Sequence, residues 1–158
     1  MRDRLPFFVY GTLRPGERNH DLFLRGRTTA ERPAVLPGAR LYEGPGHPYA
    51  VDDRGGPVSV AGEAVTAAPE EYRRLLLALD RIEEYTGRPG HPDNLYVRVV
   101  RDVVLEDGTE VRAWVYVAAE RVARELRARG TPVEGGDWHE AVTERLPGSP
   151  TPPAPRTP

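Results

Sequence analysis

Residues 9–16, with the sequence VYGTLRPG, join the end of an apolar strand to a sharp turn. The strand is predicted over residues 5–10 and stops at Gly11, and Pro15-Gly16 adds a second turn signal. Because glycine lacks Cβ, another group can approach the main chain closely at position 11, and the loop can present backbone N–H groups to a ligand. Taken alone, this stretch fits an ordinary strand exit better than a binding loop.

Composition limits the classes of protein that the chain can belong to. Its 158 residues fit one domain, and 17 prolines with 16 glycines imply many turns and short elements. All 22 basic residues are arginine, but they alternate with acids and the net charge is −2, so no basic stripe forms and a nucleic-acid partner is not expected. The absence of cysteine excludes disulfides, thiolate metal sites and cysteine nucleophiles.

The same survey predicts no metal and no membrane partner. Four scattered histidines lack ligand spacing, so we expect no metal site. There is no apolar N-terminal segment and no long apolar run, so we expect neither a signal peptide nor a membrane span, and a cytoplasmic location. The sequence makes no prediction of oligomeric state.

Periodicity and turn residues predict an α+β domain over residues 1–146, followed by a Pro-rich disordered tail over 147–158. Helices are predicted over 22–24 (capped from Asn19-His20-Asp21), 69–84, 120–129 and 139–146. Strands are predicted as a broken or bulged pair over 29–42, as 49–51, as 58–66, and as a hairpin of 95–105 with 110–118. Gly62 marks a bulge or a close approach. The expected fold is a small mixed β-barrel of five to seven strands with flanking helices, with a pocket where the first strand ends.

Glu83 stands out on the predicted helix 69–84. The apolar residues Tyr72, Leu75, Leu76, Leu79 and Ile82 form a core-facing stripe, and at helical spacing Glu83 projects between two of its leucines. A carboxylate in line with leucines lies either at a frayed helix end or in a pocket. In a pocket, burial would raise its pKa and suit it to proton transfer.

Six motifs occur in order along residues 5–140. They are FVYGTLRPG at 8–16 with Asn19-His20, Gly62-Glu63, LDRIEEY at 79–85, YVR at 96–98, AWVYV at 113–117, and GDW at 136–138. Together they resemble the γ-glutamylcyclotransferase-like (AIG2-like) family, in particular its bacterial branch of small single-domain members. The resemblance implies a small mixed β-barrel with surrounding helices. It also implies an enzyme that releases 5-oxoproline when the substrate's α-amine attacks its own γ-carbonyl.

Matched position by position, the resemblance assigns the catalytic base to Glu83, which takes a proton from the substrate's α-ammonium. The substrate-binding residues it implies are Tyr10, Gly11, Thr12 and Leu13 in the loop, Tyr96 and Tyr116 through their hydroxyls, and Arg98 on the same strand face as Tyr96. The implied partner is a small-molecule γ-glutamyl substrate. The resemblance implies no metal and no organic cofactor.

Two departures from the family pattern leave the substrate open. Glu84 stands where the family usually has glycine, and residues 86–94, which carry Arg88 and His91, lengthen the loop before Tyr96. A binding or regulatory module that has lost turnover therefore stays an alternative, as does an enzyme that removes a γ-glutamyl protecting group from a biosynthetic intermediate. We expect His47 to be a loop residue, because nothing near it in sequence completes a triad.

Overall fold

The computed structural model describes residues 4–145, with side chains as far as Ala141, so the predicted tail at 147–158 lies outside the described residues. The strands are β1 (Phe7–Val9), β2 (Thr28–Pro37), β3 (Ala39–Glu43), β4 (Pro48–Asp52), β5 (Ser59–Ala67), β6 (Tyr96–Leu105) and β7 (Glu110–Ala118). The α-helices are α1 (Tyr72–Ile82), α2 (Glu120–Arg129) and α3 (Trp138–Arg145). Short helical turns occupy His20–Leu24, Pro69–Glu71 and Glu134–Gly136. None of the helices in this part of the chain is long and apolar enough to cross a membrane.

Five strands close into a barrel in the order β1-β5-β2-β6-β7. β1 runs parallel to β7, while the other paired neighbours are antiparallel, so the barrel is mixed. β3 and β4 form a separate two-stranded sheet. The α+β class and the small mixed barrel of five to seven strands are therefore confirmed.

Alternation along β1 divides the core into two parts. Phe8 packs into the barrel interior with Leu36, Val60, Val103 and Val115, all of them buried. Phe7 and Val9 point the other way and pack against α1 and its neighbours. Barrel closure brings strands very close at Gly62, where a Cβ would collide with the Val9 carbonyl oxygen. The register is regular there, so Gly62 is a close approach and not a bulge.

The apolar stripe of α1 faces the barrel as predicted. Leu75 and Leu79 are fully buried, whereas Leu77 is exposed. The predicted end at residue 84 is wrong, because the helix stops at Ile82 and Glu83 caps it. Glu84 then takes the left-handed conformation, with φ 53°. Its N–H donates to the Arg81 carbonyl, and the Tyr85 N–H donates to the Asp80 carbonyl, which is the Schellman pattern of helix ends.

Two further local predictions are wrong. Residues 29–42 do contain two strands, but they do not pair with each other: β2 pairs with β5 and β6, and β3 pairs with β4. The predicted cap of the short helix is also absent, because the Asn19 side chain makes no capping bond and instead donates to the Thr12 hydroxyl at 2.9 Å.

Candidate active site

A pocket of about 30 Å³ opens where β1 ends, as the sequence predicted. It is lined by Phe8, Val9, Tyr10, Gly11, Thr12, Leu13, His47, Pro48, Glu83, Tyr96 and Tyr116. These residues come from the exit of β1, the start of β6, the end of β7, the end of α1 and the loop before β4. The pocket thus joins the glycine loop to the helix carboxylate.

The loop after β1 is held against Pro48. A Cβ on Gly11 would lie 2.7 Å from Pro48 Cδ, so glycine is needed here for the close approach. A tight turn follows, in which the Arg14 N–H donates to the Gly11 carbonyl at 3.1 Å. The N–H groups of Gly11, Thr12 and Leu13 donate no hydrogen bond within the part of the chain that the structure describes. All three residues line the pocket, so the loop carries donors without a protein acceptor at this place.

Arg14 fixes this loop to the barrel. Its guanidinium donates to both carboxylate oxygens of Glu63, at 2.9 and 3.1 Å, and to Asp137 at 2.9 Å. The Asp137 carboxylate also accepts the Glu140 N–H at the start of α3. Only 8% of Arg14 is exposed, so this is a largely desolvated network that ties three distant parts of the chain together.

Glu83 presents its carboxyl group to the pocket from the end of α1. Burial by the surrounding protein raises the pKa of Glu83 to about 7, because an ionised carboxylate loses hydration there. The group is therefore divided between its acid and base forms near neutral pH. A carboxyl group with such a pKa can both accept and return a proton.

Hydrogen bonds orient the tyrosines around the pocket. The Tyr10 hydroxyl donates to the Tyr116 carbonyl at 2.6 Å and accepts the Ala50 N–H at 3.1 Å. The Tyr96 hydroxyl lies 2.6 Å from the Pro48 carbonyl, a separation that requires the hydroxyl proton between the two oxygens. The 2.8 Å contact of His47 Nδ1 with the Tyr96 oxygen is therefore donated by the histidine. Burial raises the pKa of Tyr10 and Tyr96, so both phenols stay protonated.

Contrary to the prediction, Arg98 and the Tyr116 hydroxyl do not face the pocket. The Arg98 guanidinium donates to Asp80 at 2.8 and 3.2 Å and stacks 4.4 Å from the centre of the Trp114 ring. The Tyr116 hydroxyl donates to the same Asp80 carboxylate at 2.6 Å. Arg98 does not line the pocket, because its ion pair with Asp80 holds it on the outer side of the barrel. Tyr116 lines the pocket, but its hydroxyl proton is already donated to Asp80.

A second chamber, of about 180 Å³, adjoins the pocket. It shares four lining residues with the first, Thr12, His47, Glu83 and Tyr96, and adds Asn19, Gly46, Ile82, Glu84 and Leu95. We call it the outer chamber. Among the described side chains, no three His, Cys, Asp or Glu residues lie close enough together to hold a metal ion.

Comparison with known proteins identifies the family. A family described as gamma-glutamyl cyclotransferase, AIG2-like, matches residues 7–140, and the chain belongs to it. Over 110 residues the chain is 36% identical to the gamma-L-glutamyl-butirosin B gamma-glutamyl cyclotransferase of Niallia circulans. That match covers 70% of this chain and 64% of the relative, just under two thirds of its length.

Solved structures share the fold. An AIG2-like protein from Mus musculus superposes with a TM-score of 0.54 at 25% identity, over 73% of this chain and 77% of the mouse protein. YkqA from Bacillus subtilis gives a TM-score of 0.60 at 24% identity, over 86% of this chain but only 40% of YkqA. Together, the family match and these superpositions show family membership and a shared fold.

Sequence reasoning missed His47, which lines both the pocket and the outer chamber. It reaches them because β3 and β4 fold back beside the barrel, a long-range packing that no local pattern announces. Asp80 was also missed as the residue that holds Arg98 and Tyr116. The one available signal was its place at the edge of the helical stripe, next to Leu79.

Proposed function

We propose that the protein is a γ-glutamyl cyclotransferase acting on a small-molecule γ-glutamyl amine. The observation that supports this most strongly is the pocket that Glu83 shares with Gly11, Thr12 and Leu13, whose N–H groups donate no hydrogen bond in the described part of the chain. A proton acceptor and a set of free donors are the two parts that intramolecular acyl transfer needs. The loop from Tyr10 to Leu13 binds the glutamyl group, and the rings of Tyr96 and Tyr116 form the walls.

In the proposed reaction, Glu83 removes a proton from the substrate's α-ammonium, because the protonated form has no lone pair for attack. The free amine adds to the γ-carbonyl of the same molecule and closes a five-membered ring. The negative charge that develops on the carbonyl oxygen is stabilised by the loop N–H groups. The bond from the γ-carbon to the amine then breaks, and Glu83 returns its proton to the departing nitrogen. The attacking nitrogen gives up its second proton as the lactam forms, and the departing amine takes that proton and leaves as an ammonium ion. The products are 5-oxoproline and the protonated amine, and no water is consumed.

Arg98 supports the site indirectly in this proposal. It pairs with Asp80, three residues before Glu83 on α1, and Asp80 also holds Tyr116 of the pocket wall. The three side chains therefore fix the end of α1 against β6 and β7. Arg98 is a positioning residue and does not touch the substrate.

The Niallia circulans relative favours one further statement about the substrate. Its name describes a γ-L-glutamyl derivative of a small molecule as the substrate. We extend to this chain only the general form, removal of a γ-glutamyl group from a small amine. This corresponds to the protecting-group alternative that the sequence left open.

The test is to incubate the purified protein with a panel of γ-glutamyl amines and to quantify 5-oxoproline, glutamate and free amine. We expect 5-oxoproline and amine in equal amounts. Glutamate in place of 5-oxoproline would indicate hydrolysis and would refute cyclisation. Thermal stabilisation by the panel with no product would instead support a binding module. Glu83→Gln is expected to slow turnover at least about a hundredfold, while Glu110→Gln, at the opposite end of β7 from Tyr116, provides a matched charge control.

A further inference from the structure

The outer chamber is where the amine side of the substrate must lie, and this inference rests on the proposed function. The inner pocket, at about 30 Å³, is much smaller than the outer chamber at about 180 Å³. Glu83 borders both spaces and has to reach the departing nitrogen. Once the glutamyl group occupies the loop after β1, the substituent on that nitrogen extends past Glu83 into the outer chamber.

Two polar side chains of the outer chamber, Asn19 and His47, offer acceptors to a ligand. Asn19 donates its amide N–H to the Thr12 hydroxyl oxygen, which leaves its carbonyl oxygen free to accept. His47 donates Nδ1–H to Tyr96, which leaves the Nε2 lone pair. Burial lowers the pKa of His47, and the ring is therefore neutral near pH 7.

The charge of the chamber has the same sign throughout. Glu84 contributes an exposed carboxylate, and Glu83 contributes a second carboxylate whenever it is ionised. No arginine is among the lining residues, and Glu84 forms no ion pair or side-chain hydrogen bond within residues 4–141. A ligand group with a negative charge would meet repulsion here, and an ammonium group would find both charge and acceptors.

We propose that the outer chamber selects substrates whose amine side carries a second, positively charged amino group, and that Glu84 is the residue that recognises it. A γ-glutamyl derivative of a diamine or polyamine fits this description. A γ-glutamyl amino acid, which carries a carboxylate on its amine side, does not. Glu84 itself has a left-handed backbone conformation at the helix end, which suits glycine better. A glutamate at this position therefore costs stability.

Three substrates of equal length test the proposal: γ-L-glutamyl-putrescine, γ-L-glutamyl-n-pentylamide and γ-L-glutamyl-aminovalerate. They end in an ammonium, a methyl and a carboxylate group. We expect kcat/KM at low salt to fall in that order, with about fivefold between the first two, as for a single exposed ion pair. Glu84→Gln should bring that ratio close to one, and Glu84→Lys should make the carboxylate substrate the best. Glu110→Gln, an exposed carboxylate about 20 Å along β7 from Tyr116, should change nothing.

Binding provides a readout that does not depend on turnover. Affinities of the same three compounds are measured by calorimetry for Glu83→Gln and for Glu83→Gln with Glu84→Gln. The single variant should prefer the ammonium compound about fivefold and the double variant should not. Absence of 5-oxoproline would refute the proposed function alone. Equal affinities in the Glu83→Gln variant, or a preference that survives loss of Glu84, would overturn the present inference even if product forms.

Discussion

Replacement of Glu83 by glutamine should stabilise the protein in a strongly pH-dependent way. Burial raises the pKa of Glu83 from 4.5 to about 7, so the folded protein binds this proton more tightly than the unfolded chain. Stability is therefore lost as the pH rises from about 4.5 to about 7, when the folded protein must hold a partly buried carboxylate. Glutamine has nearly the same shape and cannot ionise, so the variant avoids that loss.

The pKa shift sets the size of the effect. The rise in the pKa of Glu83 from 4.5 to about 7 corresponds to roughly 3 to 4 kcal/mol once the group is fully ionised, at about 1.4 kcal/mol for each unit of pKa. The difference in unfolding free energy between Glu83→Gln and the wild type should be close to zero near pH 4, about 2 kcal/mol near pH 6 and about 3 kcal/mol near pH 8. Only the difference between the two proteins is used, so the titration of other carboxylates cancels.

Urea unfolding of both proteins at these three pH values measures the difference directly. Glu110→Gln serves as the control, because Glu110 is exposed and its replacement should have little effect at any pH. A difference that does not change with pH, or a variant less stable than the wild type near pH 8, would refute the claim that Glu83 is held in a desolvating pocket.

Three other substitutions test the structure around the site. Arg14→Met should lower the free energy of unfolding by about 3 kcal/mol, because two half-buried carboxylates lose their cation. Arg25→Met removes an exposed ion pair and should lower it by less than about 0.5 kcal/mol in the same urea assay. Gly11→Ala should cost about 2 kcal/mol because its Cβ would collide with a proline ring, and Gly90→Ala, with open space around it, should be nearly neutral; equal effects would contradict the packing. Glu84→Gly should raise stability by about 1 kcal/mol through relief of the positive φ, and a loss would contradict that conformation.

The sequence predicted correctly the elements that are bounded by turn or helix-end residues close to them in the chain. Strand β7 and helix α2 have the predicted bounds, because Asp107-Gly108 marks the hairpin and Gly130 ends the helix. The pairing of β2 with β5 and β6 was not predictable in this way, since barrel closure depends on contacts between distant segments. The position of β3 and β4, and with it the place of His47, depends on the same long-range packing.

For Glu83, the sequence left open a frayed helix end or a pocket, and the structure shows a pocket beside a helix end that is closed by a Schellman motif. The helix ends at Ile82, one residue before Glu83, and Glu83 still lines the pocket. Periodicity could show that the residue was misplaced on its helix, but only the assembled fold shows what surrounds it. Arg14, Glu63 and Asp137 belong to three of the motifs behind the family resemblance, and their shared ion network gives a physical reason for those motifs.

The pH dependence of 5-oxoproline release tests the central claim most directly. For a γ-glutamyl amine that turns over, kcat/KM is measured from about pH 5 to pH 8 for the wild type and for Glu83→Gln. The wild type should lose activity tenfold per pH unit below an apparent pKa of about 7, as Glu83 becomes protonated, and the variant should be at least about a hundredfold slower. A variant that retains wild-type turnover, or the same acid limb in both proteins, would contradict the assignment of Glu83 as the base.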